Sequence, residues 1–172
     1  GSSPGRVRGH NGAVKWRNWA GNQTASPESV LDPASGAETA EMVRSAHAGG
    51  RAVRVTGSGH SFTGAAVAND VLMRLDRLSG ILEIDRTAMT VRVGAGTPLW
   101  RLNELLHAEG LALANLGDIA YQTVAGAVST GTHGTGVALG GLAAQIRGLT
   151  LVDGCGNVHE CRAGLNEEIL DV

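Results

Sequence analysis

The chain is short of aromatics, cysteine, long apolar runs and basic clusters, and each shortage argues against a class of function. Trp 3, Tyr 1 and Phe 1 make up 3% of the 172 residues, too few for the stacking platforms that single-stranded nucleic acid needs. The formal net charge is −2 and no basic run occurs, so a nucleic-acid partner is not expected. No segment is apolar for long enough to cross a bilayer, and no hydrophobic signal core stands near the start. Cys155 and Cys161 are the only cysteines. The first falls in an expected hairpin turn and the second along the returning strand, where registry keeps them apart. Two free thiols fit a reducing cytosol, so a cytoplasmic location is expected. His10, His47, His107 and His159 share no metal-ligand spacing with each other or with a cysteine, and no metal site is expected.

Glycine, by contrast, is abundant: 26 of 172 residues, against roughly 7% in an average protein. It follows no repeat, which excludes collagen and simple linkers. An apolar share of 42% supports a real core, and the length fits one domain. The glycines concentrate in two segments about sixty residues apart, each with one histidine. The first is Thr56-Gly57-Ser58-Gly59-His60-Ser61-Phe62. The second runs from Thr123 through Gly126, Ser129, Thr130, Gly131, Thr132 and His133 to Gly136. Glycine lets a backbone approach a ligand closely, and hydroxyls with free N–H groups suit a diphosphate.

Short β-rich runs alternate with helices. Ser35-Gly36-Ala37-Glu38 has capping-box spacing, so a helix starts at Gly36 or Ala37, buries Ala40, Val43, Ala46 and Ala48, and stops at Gly49-Gly50. Residues 51–55 alternate as a strand, from whose end the first glycine loop hangs. Further strands are expected at 71–75, 81–84 and 90–93. A helix follows with Thr97 as N-cap, Pro98 in its first position, and Leu99, Leu102, Leu105 and Leu106 buried. Residues 111–115 read as a brief strand, 123–129 as a short helical turn, and 146–153 with 158–161 as a hairpin. Another helix should begin at Asn166. Gly1 to Gly12, with Ala13, reads as a disordered or tag-derived lead-in.

Taken alone, Gly57-Ser58-Gly59 is a weak signal. It lacks the third glycine of a dinucleotide fingerprint and the lysine of a triphosphate loop. The hydroxyl–glycine alternation of the second segment carries more weight, because ordering so many glycines is costly in chain entropy. By residue type His60 is a satisfied turn histidine, a general base or a covalent attachment point, in that order. His133 is a cofactor hydrogen-bond donor or purely structural. Asp118 is a cofactor contact or a turn residue. Trp16 and Trp19 read as core anchors.

Three motifs make a family recognisable: Trp16-Arg17-Asn18-Trp19-Ala20-Gly21-Asn22, Gly57-Ser58-Gly59-His60-Ser61-Phe62, and Val124-Ala125-Gly126 through Ser129-Thr130-Gly131-Thr132-His133-Gly134. From about Val14 to its end the chain closely resembles the FAD-binding (PCMH-type) domain of the vanillyl-alcohol oxidase superfamily, in the branch of sugar-1,4-lactone and alditol (xylitol) oxidases. The resemblance implies an α+β fold of two subdomains that clasp FAD, over residues 14–172. It assigns Val55, Thr56, Gly57, Ser58, Gly59, His60 and Ser61 to a first flavin loop. Gly117, Asp118, Thr123, Gly126, Thr130, Gly131, Thr132 and His133 would form a second. His60 matches the histidine bonded to the flavin 8α-methyl carbon, which makes covalent attachment the favoured of its three readings.

The reaction so implied is hydride removal from a carbinol carbon of a sugar lactone or polyol, with oxygen as acceptor giving hydrogen peroxide. Gly117 falls where relatives control oxygen access, which favours an oxidase over a dehydrogenase. Relatives continue into a substrate domain that carries the catalytic side chains. The chain is therefore expected to be a C-terminally truncated piece with no catalytic residue of its own, inactive alone. A stand-alone flavin-binding module is one alternative. An NADPH-dependent peptidoglycan-precursor reductase of the same fold is another, and His60 argues against it because such reductases hold flavin non-covalently.

Overall fold

The computed structural model describes residues 7–8 and 14–170. Helix and strand are mixed along the chain, in agreement with the α+β expectation. The chain divides into two compact units. Within the expected lead-in, β1 (Val7–Arg8) pairs antiparallel with β2 (Val14–Arg17), and the rest of that segment, His10 included, lies outside the described residues.

The first unit comprises the residues up to Arg77 together with Val152–Asn157. After β2 come β3 (Thr24–Ala25), β4 (Ser29–Leu31), helix α1 (Gly36–Ala48), β5 (Val53–Thr56) and β6 (Val71–Arg74). β4, β6 and β5 form a parallel sheet with β6 in the middle. A central parallel strand is covered on both faces, so it reads as a continuous apolar run. Val71, Leu72 and Met73 are all essentially inaccessible. Leu72 joins Trp16, Ala25 and Ala68 in one core cluster.

Helix α1 begins as the capping box requires. Ser35 Oγ accepts from the Glu38 amide at 3.1 Å, while Glu38 reaches back to the Ala34 amide at 2.8 Å. Ala40, Val43 and Ala46 are buried, but Ala48 is exposed, two residues past Ala46 and so on the opposite side of the helix. Strand β5 starts two residues later than its sequence suggests, and Val55 is 50% exposed. β5 is a sheet edge, so strict alternation is not imposed on it. The loop after β5 leaves from the carboxyl end of a parallel strand, where α/β sheets present ligand loops.

The second unit covers Leu78–Leu151 and the residues from Val158 on. It holds the hairpin of β7 (Ile81–Asp85) and β8 (Thr90–Val93), helices α2 (Leu99–Ala108) and α3 (Val124–Ser129), and most of β9 (Gly148–Val152) with β10 (Val158–Arg162). Thr97 is not the N-cap of α2; Pro98 is. The reason is tertiary. The Leu99 and Trp100 amides donate to the carbonyls of Gln122 at 2.9 Å and Ala120 at 2.8 Å, so the helix start needs no side-chain cap. The Thr97 hydroxyl, fully buried, instead donates to Gly94 O at 2.6 Å and accepts from the Gly80 amide at 2.9 Å.

Leu99, Ala127 and Leu142 form this unit's core cluster, and Leu105 is only half-buried. Residues 111–115 are irregular rather than a strand. Asn166 opens a 3₁₀ turn (Glu167–Leu170) rather than an α-helix. Cys155 is free and exposed, Cys161 free and buried. Among the described residues no helix is long and apolar enough to cross a membrane.

Candidate cofactor-binding loops

The first loop is seated on the turn that follows β2. The Trp19 amide donates to Gly59 O at 2.8 Å. Asn18 Nδ2 donates to Ser61 O at 2.9 Å. Asn22 Nδ2 and Gln23 Nε2 both donate to Phe62 O, at 3.0 and 3.4 Å. Asn18 is 4% exposed and its remaining side-chain groups are also engaged: Nδ2 with Asn22 Oδ1 at 2.7 Å, Oδ1 with the Gln23 amide at 3.0 Å.

These bonds fix the direction of the loop. In a trans peptide the C=O of one residue and the N–H of the next point opposite ways, and the described residues contain no cis bond. With the carbonyls of Gly59, Ser61 and Phe62 turned towards the 18–23 turn, the N–H groups of His60, Phe62 and Thr63 point away from it. Gly59 adopts a left-handed φ of +69°, and its open Cβ position lies 3.5 Å from the Trp16 ring and from the Asn18 Cα. The result is a row of amides aimed to one side, which is the donor set a diphosphate takes.

His60 sits in the middle of this loop, half-buried. Its ring stacks on Trp19, with centroids 5.4 Å apart and planes inclined at 27°. Burial pushes its pKa below the ordinary 6.5, because desolvation disfavours the imidazolium. A neutral imidazole keeps an in-plane lone pair for a hydrogen bond or a covalent bond. Of the other residues in the first segment, Thr56 is buried with its hydroxyl 3.2 Å from Gly57 O. Gly57, Ser58 and Ser61 are half-buried, and Val55 is exposed.

In the second unit, Thr123 caps α3: its Oγ1 accepts from the Gly126 amide at 3.2 Å. Thr130 Oγ1 donates to Gly126 O at 2.7 Å. Gly131 has φ +65° and open space where a Cβ would be. Thr132 Oγ1 lies 2.9 Å from Gln122 Nε2. His133 Nδ1 is 3.0 Å from Gly134 O, so that nitrogen carries the proton and donates. Gly117 is brought against this loop, since a Cβ there would lie 3.2 Å from both His133 O and Thr132 Cγ2. At Gly134 a Cβ would overlap the Leu116 carbonyl. Asp118 is exposed.

One sequence reading needs correction: Trp16 is buried as a core anchor, but Trp19 is 57% exposed and its ring faces His60. The asparagines of the same motif, given no role of their own in the sequence analysis, do the positioning: Asn18 and Asn22. An Asn two residues after a core Trp, repeated four residues on, was the available signal.

Amides turned outward on a glycine loop beside an imidazole are suited to a phosphate-bearing cofactor, and comparison with known proteins supplies the class. The family model described as FAD binding domain matches residues 27–162. An alditol oxidase of a Streptomyces species is 43% identical over 142 residues, covering 81% of this chain and 34% of its own length. L-gulonolactone oxidase of Scyliorhinus torazame is 36% identical over 155 residues (90% and 35%). L-gulono-1,4-lactone dehydrogenase of Mycobacterium tuberculosis is 39% identical over 149 residues (87% and 35%). The chain belongs to the FAD-binding domain family of the vanillyl-alcohol oxidase superfamily, in its sugar-lactone and alditol oxidase branch. It spans about a third of the length of the curated relatives it matches.

Proposed function

We propose that the chain binds FAD, using residues of its glycine loops, with His60 as a covalent tether, and serves an oxidase of sugar lactones or alditols. The amides of His60, Phe62 and Thr63 would bind the diphosphate, and Val55 through Ser61 would contact the cofactor from the first loop. In the second loop Gly117, Asp118 and Thr130 through His133 would be the contacting residues, Thr123 and Gly126 contributing by setting the start of α3. The observation that carries this reading is the first loop, where the carbonyls of Gly59, Ser61 and Phe62 are drawn to the 18–23 turn, so that the amides that follow them point the other way.

When bound, the flavin supplies the hydride acceptor and an 8α-methyl carbon open to a nucleophile. His60 would bond to that carbon through a ring nitrogen, the methyl group and the imidazole each giving up one hydrogen, with dioxygen as the two-electron oxidant that leaves as hydrogen peroxide. The lowered pKa of His60 supports its part, because only the neutral ring can attack. The whole protein would take a hydride from a carbinol carbon of its lactone or alditol substrate. The relatives include both oxidases and a dehydrogenase; the bare Gly117 supports the oxidase.

Two experiments test this. Acid-precipitated protein should stay yellow and fluoresce in a denaturing gel; a colourless pellet with free FAD in the supernatant would reject the tether. Flavin photoreduced without air should reoxidise within seconds of admitting oxygen, and reduced flavin that persists for minutes would reject the oxidase.

A further inference from the structure

We propose that Trp19 is a positioning residue for the cofactor tether: its indole stacks on the His60 imidazole and its backbone amide anchors Gly59, so ring and loop are oriented together. The inference rests on the flavin reading above and assigns a role to a residue outside both glycine loops.

Three observations carry it. The stack is close, at 5.4 Å and 27°. The Trp19 N–H to Gly59 O bond of 2.8 Å registers the indole to the residue immediately before His60. Trp19 is also 57% exposed and absent from the core cluster that Trp16 anchors. An indole left so open contributes little as a core residue, and the contact it does make is with His60.

Stacking is well suited to this task. It occupies a π-face of the imidazole, whereas the nucleophilic lone pair lies in the ring plane. The stack therefore holds the ring without itself covering that lone pair. Restricting it to one orientation removes rotations that a free histidine side chain would have to freeze at the moment of bond formation. Two anchors share the work: Asn18 and Trp19 fix the backbone on both sides of His60, and the indole fixes the side chain.

The test uses the full chain in its apo form mixed with FAD, following covalent flavin in denaturing gels over time. Trp19→Leu keeps apolar bulk without an aromatic face, and Trp19→Phe keeps the face. We expect Leu to slow attachment on the order of tenfold or more, with thermal stability near that of the wild type, and Phe to restore most of the rate. Attachment by the Leu variant at the wild-type rate would overturn the proposal, as would equal loss in both variants. A second readout needs no flavin: ring-current shifts of the His60 ring protons in the apo chain, present in wild type and lost in Trp19→Leu. Unshifted wild-type protons would also overturn it. Wild type that takes up FAD without bonding it would instead fail the tether reading, while the ring-current result still decides whether Trp19 orients His60.

Discussion

Asn18 Nδ2 donates to the carbonyl of Ser61 at 2.9 Å across 43 positions of sequence. This bond joins the turn after β2 to the loop after β5. Asn18 is buried with both side-chain polar atoms engaged, so its loss takes these partners from the Ser61 carbonyl and the Gln23 amide. Asn18→Ala should destabilise the fold by about 1–3 kcal/mol, measured by urea unfolding, and weaken FAD uptake in parallel. An unchanged urea midpoint would show that the network contributes nothing to the loop.

Thr97 makes the matching case in the second unit. Its hydroxyl is a donor to Gly94 and an acceptor for the Gly80 amide, at zero exposure. Thr97→Val conserves shape and strands that amide, and should cost about 1–3 kcal/mol. Thr97→Ser should recover much of it. Equal stability of the Val variant and wild type in urea titrations would contradict this accounting.

Glycines of the second loop divide by what surrounds them. Gly131 needs only its left-handed φ of +65° and faces open space, so Gly131→Ala should cost about 1–2 kcal/mol. At Gly134 the obstacle is the Leu116 backbone, which cannot move aside as a side-chain tip would. Gly134→Ala should lower the melting temperature further than Gly131→Ala, and the reverse order would be evidence against the loop packing. Gly117→Ala should fall between them, since Thr132 and His133 O are each 3.2 Å from the added carbon. An effect of that variant on oxygen reactivity would therefore carry a packing component.

His60 gives stability a pH dependence of definite sign. Its folded pKa lies below 6.5 because burial penalises the charged ring. Between the folded and unfolded values the unfolded chain binds more protons, so stability rises with pH. The contribution is fully present above about 6.5 and is lost as pH falls towards the folded value. In the apo chain, urea midpoints of wild type should fall more steeply below pH 6.5 than those of His60→Gln. Parallel curves would show that burial leaves the ring unperturbed.

Local rules made much of the fold legible. Ser35 and Glu38 announced α1, the apolar run Val71–Met73 announced the central strand, and Thr123 announced α3. Readings failed where a tertiary partner replaced a local one. The amides at the start of α2 go to Gln122 and Ala120, which frees Thr97 for a turn. The edge position of β5 exposes Val55. The glycine loops stood out by composition, but the direction of the first loop's amides did not, because side chains some 40 positions away set it. Trp19 looked like core until its ring was found on His60.

Intact mass spectrometry of the wild-type chain and His60→Ala, each saturated with FAD and then denatured, tests the central claim most directly. The account predicts a wild-type mass raised by one FAD less two hydrogens, and His60→Ala at its bare polypeptide mass. Wild type at its bare mass, or an adduct that survives His60→Ala, would contradict it.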